Sequence, residues 1–191
     1  MSKSERSVCS GRSWQLLAKR IVPWATLGTE FSGDVLEIGG GGGGMAEALG
    51  AANPQIRLTM TDIDPAMVDV ARARLAHVPN VSTRHADVTR LPFPDRSYDI
   101  VLSFLMLHHV VEWEPAIDEV ARVLRPGGIF VGYDLTHTAL AEFVHRVDGS
   151  PHRLIPAATL EPALERAGLE PEHMRYSMRR HILRFVARKP A

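Results

Sequence analysis

The chain reads as an α/β protein built on a largely parallel, doubly wound sheet with helices on both faces, and three observations carry that expectation. Short apolar runs alternate with stretches of helical periodicity between residues 34 and 134, the pattern of strands joined by helical crossovers. The first run, Val35-Leu36-Glu37-Ile38, opens into six consecutive glycines, Gly39 to Gly44, and then into the helix-forming Met45-Ala46-Glu47-Ala48-Leu49. The next two strand segments each close on an aspartate, Asp62 and Asp87. That places carboxylates at the carboxyl edge of the sheet, where doubly wound folds bind their ligands.

Taken in order, residues 1–12 read as disordered, and 13–27 carry Trp14, Leu17, Ala18, Ile21 and Val22 at helical spacing, interrupted by Pro23. Strands are expected near 34–38, 56–62, 81–87, 98–104 and 128–134, with helices near 44–51, 65–77 and 114–124. Asp64-Pro65 is a helix start, aspartate capping and proline in the first turn. Pro126-Gly127-Gly128 stops the third helix after Leu124. The connection 135–158 is read as a lid, in which Leu135, Leu140, Phe143, Val144, Leu154 and Ile155 either cover an apolar substrate or pack on the sheet. A helix near 159–167, stopped by Gly168, precedes two strands near 169–178 and 181–188 linked by a short polar turn. Residues 13–191 thus form one domain.

Composition narrows the function. A chain of 191 residues with 45% apolar and 23% charged content is an ordinary soluble domain. Its net charge of zero provides no field to gather nucleic acid. Residues 173–191 nonetheless hold Arg175, Arg179, Arg180, Arg184, Arg188 and Lys189 with no acidic residue, read here as a solvated, gatekept strand pair. The single cysteine, Cys9, has no intrachain partner, so a cytoplasmic location is expected. No apolar run approaches the length of a membrane span, and the first residues lack the apolar core of a signal peptide. Nine histidines are scattered without metal-ligand spacing, so no metal is expected. Gly-x-Ser-x-Gly is absent, which removes a serine hydrolase from consideration.

The glycine run fits two nucleotide-binding templates. Read as Glu37-x-Gly39-x-Gly41-x-Gly43 it is an S-adenosylmethionine loop, and read as Gly39-x-Gly41-x-x-Gly44 it is a dinucleotide fingerprint. Asp62, nineteen residues past Gly43, suits both, since each places a carboxylate there for the ribose hydroxyls. The longer series of motifs belongs to one template only. VLEIGGGGGG, TDIDPAMVDVAR, ADVTRLPFPDRSYDIVLSFLMLHHV and EVARVLRPGGIFVGYDL run in order from Val35 to Leu135. With them the chain resembles the class I S-adenosylmethionine-dependent methyltransferases, in the small-molecule branch typified by ubiquinone and menaquinone methylases.

The resemblance implies a Rossmann-like sheet of seven strands with the last inserted antiparallel, and S-adenosyl-L-methionine as cofactor. It implies cofactor contacts from Glu37, Gly39, Gly40, Gly41 and Gly43, ribose recognition by Asp62, and adenine recognition by Asp87. Ile63 and Val88 would flank the adenine ring, and Ser103 is counted with this set. The family usually carries Cys, Ala or Pro at position 40 and Thr or Ser at 42, where this chain has glycine. Gly40→Ala is therefore expected to be nearly harmless. In the family a histidine after strand four often faces the methyl-transfer pocket, which makes His109 and then His108 the candidate catalytic residues. Tyr133, Asp134, His137, His145 and His152 are further candidates. The Asn-Pro-Pro-Tyr type signature of base-methylating enzymes is replaced by Ser103-Phe104-Leu105-Met106, so the expected acceptor is a small, apolar molecule methylated on O, N or C. Two alternatives stand beside this reading: a cofactor-binding protein without catalysis, and a nicotinamide-dependent reductase.

Overall fold

The computed structural model describes residues 20–148, 152–156 and 158–191, without the side chains at 140, 144, 145, 147 and 148. The expectations for residues 1–12, for Trp14, Leu17 and Ala18, for Cys9 and for the His145 side chain lie outside that range.

A helical segment at 20–25 leads into seven strands and five helices. They follow as β1 (Asp34–Ile38), α1 (Gly44–Ala52), β2 (Arg57–Asp62), α2 (Pro65–Leu75), β3 (Val81–His85), β4 (Tyr98–Phe104), α3 (Glu114–Val123), β5 (Leu124–Leu135), α4 (Ala139–Asp148), α5 (Leu160–Arg166), β6 (Glu170–Ser177) and β7 (Ile182–Arg188). The sheet order is β3-β2-β1-β4-β5-β7-β6. β7 runs antiparallel between β5 and β6, and the other neighbouring pairs are parallel. The chain winds outward from β1 to β3 and returns to β4 on the other side of β1. The carboxyl ends of β1 and β4 therefore flank the topological switch point, where such sheets open a crevice.

Burial explains why the strands are apolar runs. One face packs Val35, Leu58, Met60, Leu102 and Val131 against the 20–25 segment, α1 and α2. The other packs Leu36, Val101, Phe130 and Phe185 against α3 and α5. A central parallel strand is covered on both sides and cannot alternate with polar residues. Glu37, with 1% of its surface exposed, breaks that rule within β1. At α2 the Asp64 carboxylate accepts from the Ala66 amide at 2.9 Å, with Pro65 in the first turn, as expected.

Three boundaries differ from expectation. β3 ends at His85, and Asp87 instead bridges Arg90 in a turn. β5 begins at Leu124 because Leu124 already pairs with Tyr98 ahead of a register shift, so Pro126-Gly127-Gly128 lies within the strand. The connection after β5 contains the helix α4. Its spacing of Leu140, Phe143, Val144 and Val147 is the i, i+3, i+4, i+7 signal that would have disclosed it.

Candidate active site

The glycine turn takes shape from alternating backbone handedness. Gly39, Gly41 and Gly43 have φ of 63°, 54° and 78°, whereas Gly40, Gly42 and Gly44 are absent from the left-handed set. This is the spacing of the methyltransferase loop, and Gly44, the third glycine of the dinucleotide template, is simply the first residue of α1. The three left-handed positions serve different ends. A Cβ at Gly39 would lie 1.9 Å from Met106 Cγ, and one at Gly43 would lie 3.1 Å from Ala71 Cβ and Leu75 Cδ1. At Gly41 a Cβ would meet nothing within 4 Å, so the backbone there borders open space that a ligand can fill. Gly40 corrects an expectation: its Cβ would lie 2.6 Å from Met60 Cγ and 3.1 Å from Glu37 Cδ, so alanine is not harmless here.

Acidic groups converge on this turn. Glu37 is buried beneath it, and its Oε2 has no hydrogen-bond partner among the described residues. Desolvation, helped by the neighbouring Asp62 carboxylate, pushes its pKa up to about 8. An orphaned buried carboxyl is costly unless a partner arrives. Asp62 is also buried; its Oδ2 accepts from the Gly41 amide and its Oδ1 from the Asp64 amide, both at 2.8 Å. Burial raises its pKa, and those two amide bonds oppose the rise. Asp62 therefore ties the end of β2 to the glycine turn, with lone pairs left on each oxygen for further donors. Beside it Ile63 has 63% of its surface exposed, which excludes it from the core and leaves it placed to meet a flat ring. Asp87 is exposed, and its Oδ1 accepts from the Thr89 amide at 2.8 Å and hydroxyl at 2.7 Å. Val88 packs against the core below. Ser103 is fully buried, its Oγ without a partner among the described residues.

Past β4 the chain turns through Leu105, at φ 53°, and Met106, which fills the space beside Gly39, into a short 3-10 turn, Leu107–His109. This turn sets the two histidines apart. His108 is buried, and its Nδ1 lies 2.5 Å from Asp134 Oδ1 at the end of β5. Asp134 also accepts from the Leu107 amide at 2.7 Å and the Leu135 amide at 2.6 Å. Two amides and the His108 ring thus hold one buried carboxyl group. His109 is half-buried, its ring centroid 4.0 Å from that of His108.

The other candidates separate. Tyr133 faces the opposite side of the sheet, against Trp24 and Phe104. His137 is exposed and 3.2 Å from Glu142. Sequence reasoning had no signal for Arg153, whose amide donates to the His108 carbonyl at 2.7 Å while its guanidinium pairs with both oxygens of Glu114 at 2.8 Å. It fastens the returning chain over the histidine turn. A groove of about 550 Å³ lies at the opposite, amino-terminal edge of the sheet, bordered by Glu30, Asp99, Gly127 and Arg188, away from the strand-end acids. Among the described residues no group of three or more His, Cys, Asp and Glu is placed to hold a metal ion.

The open cradle at Gly41, the orphaned Glu37 carboxyl and the exposed Ile63 beside Asp62 suit a ligand with an amino group, a ribose and an aromatic base. Comparison with known proteins agrees. The family described as a methyltransferase domain matches residues 36–132. A probable S-adenosylmethionine-dependent methyltransferase of Mycolicibacterium smegmatis is 36% identical over 149 residues, covering 73% of this chain and 52% of that protein. A demethylmenaquinone methyltransferase of Clavibacter sepedonicus is 33% identical over 150 residues, 71% of this chain and 58% of that one. The chain thus spans about half the length of the curated relatives it matches. Among solved structures, a SAM-dependent methyltransferase from Aquifex aeolicus superposes with a TM-score of 0.77 over 99% of both chains at 16% identity, a likeness of fold. The chain belongs to the S-adenosylmethionine-dependent methyltransferase family.

Proposed function

We propose that this protein methylates a small, largely apolar molecule at an atom that must lose a proton, a hydroxyl oxygen or a resonance-activated carbon, with His108 as the base. The observation that carries this reading is the buried His108–Asp134 pair at the carboxyl edge of β5, next to the switch point. An ionised Asp134 accepting from Nδ1–H sets the tautomer in which Nε2 bears the lone pair. With Nδ1 committed to Asp134, proton exchange with an acceptor falls to Nε2. Asp134 is the positioning residue, and the Leu107 and Leu135 amides fix the orientation of its carboxyl group.

S-Adenosylmethionine supplies an electrophilic methyl carbon on its sulfonium. Glu37 would hold the cofactor's ammonium, Asp62 its ribose hydroxyls and Asp87 the exocyclic amine, through the Asp87 oxygen that Thr89 does not take. The Gly41 backbone would border the methionine moiety, Ile63 and Val88 would flank the adenine, and Ser103 is counted with this set. His109, in ring contact with His108, lines the acceptor side. The protein's remaining task is to align donor and acceptor and exclude water. The Clavibacter relative is named for demethylmenaquinone, which supports an apolar acceptor, as do the apolar residues flanking the histidine turn.

Calorimetry with S-adenosylhomocysteine tests the cofactor half of this proposal. A panel of phenols, hydroxyquinones and amines, followed by mass spectrometry for a gain of one methyl group, tests the acceptor half. Methylation of amines alone would overturn the role given to His108. Binding of NADH in place of S-adenosylhomocysteine would overturn the cofactor assignments.

A further inference from the structure

Large apolar side chains exposed on the described surface are Ile63, Val70, Val111, Phe143 and Met178. Ile63 is taken up by the cofactor site, and Val70 lies on α2. The other three lie beyond the carboxyl ends of the strands: Val111 just past the histidine turn, Phe143 on α4, and Met178 at the tip of the β6–β7 hairpin. Phe143 and Met178 have 62% and 68% of their surface exposed. They stand on separate elements.

The hairpin tip is built to project. Met178, Arg179 and Arg180 are three successive non-glycine residues in the left-handed region, with φ of 50°, 55° and 70°, a conformation that persists only where its surroundings impose it. Thr136 imposes it from behind. Its hydroxyl donates to the Arg180 carbonyl and its amide to the His181 carbonyl at 3.0 Å. Thr138 Oγ1 and His181 Nδ1 are 2.7 Å apart. The Arg180 guanidinium lies 4.2 Å over the Tyr176 ring, so the tip is a stiff prong carrying a methionine and two cations.

The same rim also carries cations. Arg122, Arg125, Arg153 and Arg188 each pair with a carboxylate. Arg175, Arg179 and Arg180 on the hairpin and Arg146 on α4 have no ion pair with a described carboxylate, and the chain carries no acidic residue from 173 to 191. Among the described side chains of α4 the acid is Glu142, engaged by His137. Guanidiniums without an ion pair among the described residues thus share the carboxyl edge of the sheet with protruding apolar side chains. Separate apolar prongs among arginines suit a fluid interface, in which each prong sinks below the headgroups while the guanidiniums meet phosphates. A rigid acidic protein surface would call for the arginines but not for the prongs.

We propose that this rim docks on an anionic lipid bilayer and that the site receives its acceptor from that bilayer. The second clause rests on the apolar-acceptor reading above; the docking itself does not. The test is co-sedimentation of the full chain with vesicles of phosphatidylcholine alone and of phosphatidylcholine mixed with phosphatidylglycerol, with S-adenosylhomocysteine affinity measured alongside. Binding is expected on the anionic vesicles only, weakening with salt. Arg179→Gln with Arg180→Gln should lower it about 30-fold, the equivalent of about 1 kcal/mol per arginine. Met178→Asp should also weaken it, with melting temperature and S-adenosylhomocysteine affinity unchanged. Failure to bind anionic vesicles overturns the proposal and leaves the rim to an acidic protein. Binding that ignores the arginine and methionine substitutions overturns it as well. Vesicle binding by a protein that fails to bind S-adenosylhomocysteine would sink the functional reading and leave the docking standing.

Discussion

Replacing Glu37 by glutamine should stabilise the ligand-free protein at neutral and alkaline pH while crippling cofactor binding. Glu37 is fully buried beneath the glycine turn with one carboxylate oxygen unpartnered among the described residues. Desolvation, and then the nearby Asp62, raises its pKa from 4.5 to about 8. A carboxyl whose pKa is raised by folding contributes stability that is fully present below the unfolded value and is lost as pH climbs through the folded one. Between those limits each pH unit costs about 1.4 kcal/mol. From pH 5.5 to pH 8 the cost therefore grows by about 3 kcal/mol, which for a domain of this size is about 6–12 °C in melting temperature. Glutamine keeps the shape and cannot ionise, and every other titrating group is common to both proteins. The difference between variant and wild type isolates this one carboxyl. Thermal melts of both ligand-free proteins at pH 5.5 and pH 8, by circular dichroism, provide the measurement. A gap in melting temperature that is the same at both pH values would refute the reasoning. In the same variant the ammonium of the cofactor loses a charged acceptor, and S-adenosylhomocysteine affinity should fall at least about tenfold.

Gly39 and Gly41 should respond differently to substitution. Gly39→Ala drives a methyl group into Met106 and should lower the melting temperature without entering the cofactor cradle, whereas Gly41→Val, strained at φ 54° but facing open space, should lower the melting temperature and also abolish S-adenosylhomocysteine binding in calorimetry at a temperature where circular dichroism shows the fold retained. Gly40→Ala presses on Met60 and Glu37 and should destabilise by about 1–3 kcal/mol in urea unfolding; an unchanged midpoint would show that Met60 moves aside freely. His108→Gln and Asp134→Asn should lower kcat by about 10²–10⁴ with cofactor affinity unchanged, and Asp134→Asn should also displace the pH–rate profile, a readout that a merely structural role would leave in place.

Much of this protein was determined locally. Apolar runs over 34–38, 57–62 and 98–104 specify buried parallel strands because residues covered on both faces have no polar alternative. Asp64-Pro65 starts a helix through its own side chain and ring. The spacing of Gly39, Gly41 and Gly43 matches the left-handed positions because only glycine adopts them without cost. Asp62 was readable as a strand-end acid because its place depends on the strand beside it, whereas Asp87 lies in a turn two residues past the end of β3. Features that depend on residues far apart in the chain came only with the tertiary structure. His108 and His109 are neighbours of one chemical type, and what distinguishes them is Asp134, 26 residues away on β5, which meets one ring in the interior. The intolerance of Gly40 arises from Met60, a β2 side chain that no pattern in the loop records. The uncompensated state of Arg179 and Arg180 likewise follows from where the hairpin ends, since the composition of 173–191 is shared by Arg188, which finds Glu172 across the strands. Backbone conformation and strand burial are written in neighbouring residues; pairing between side chains is written in the register of the sheet.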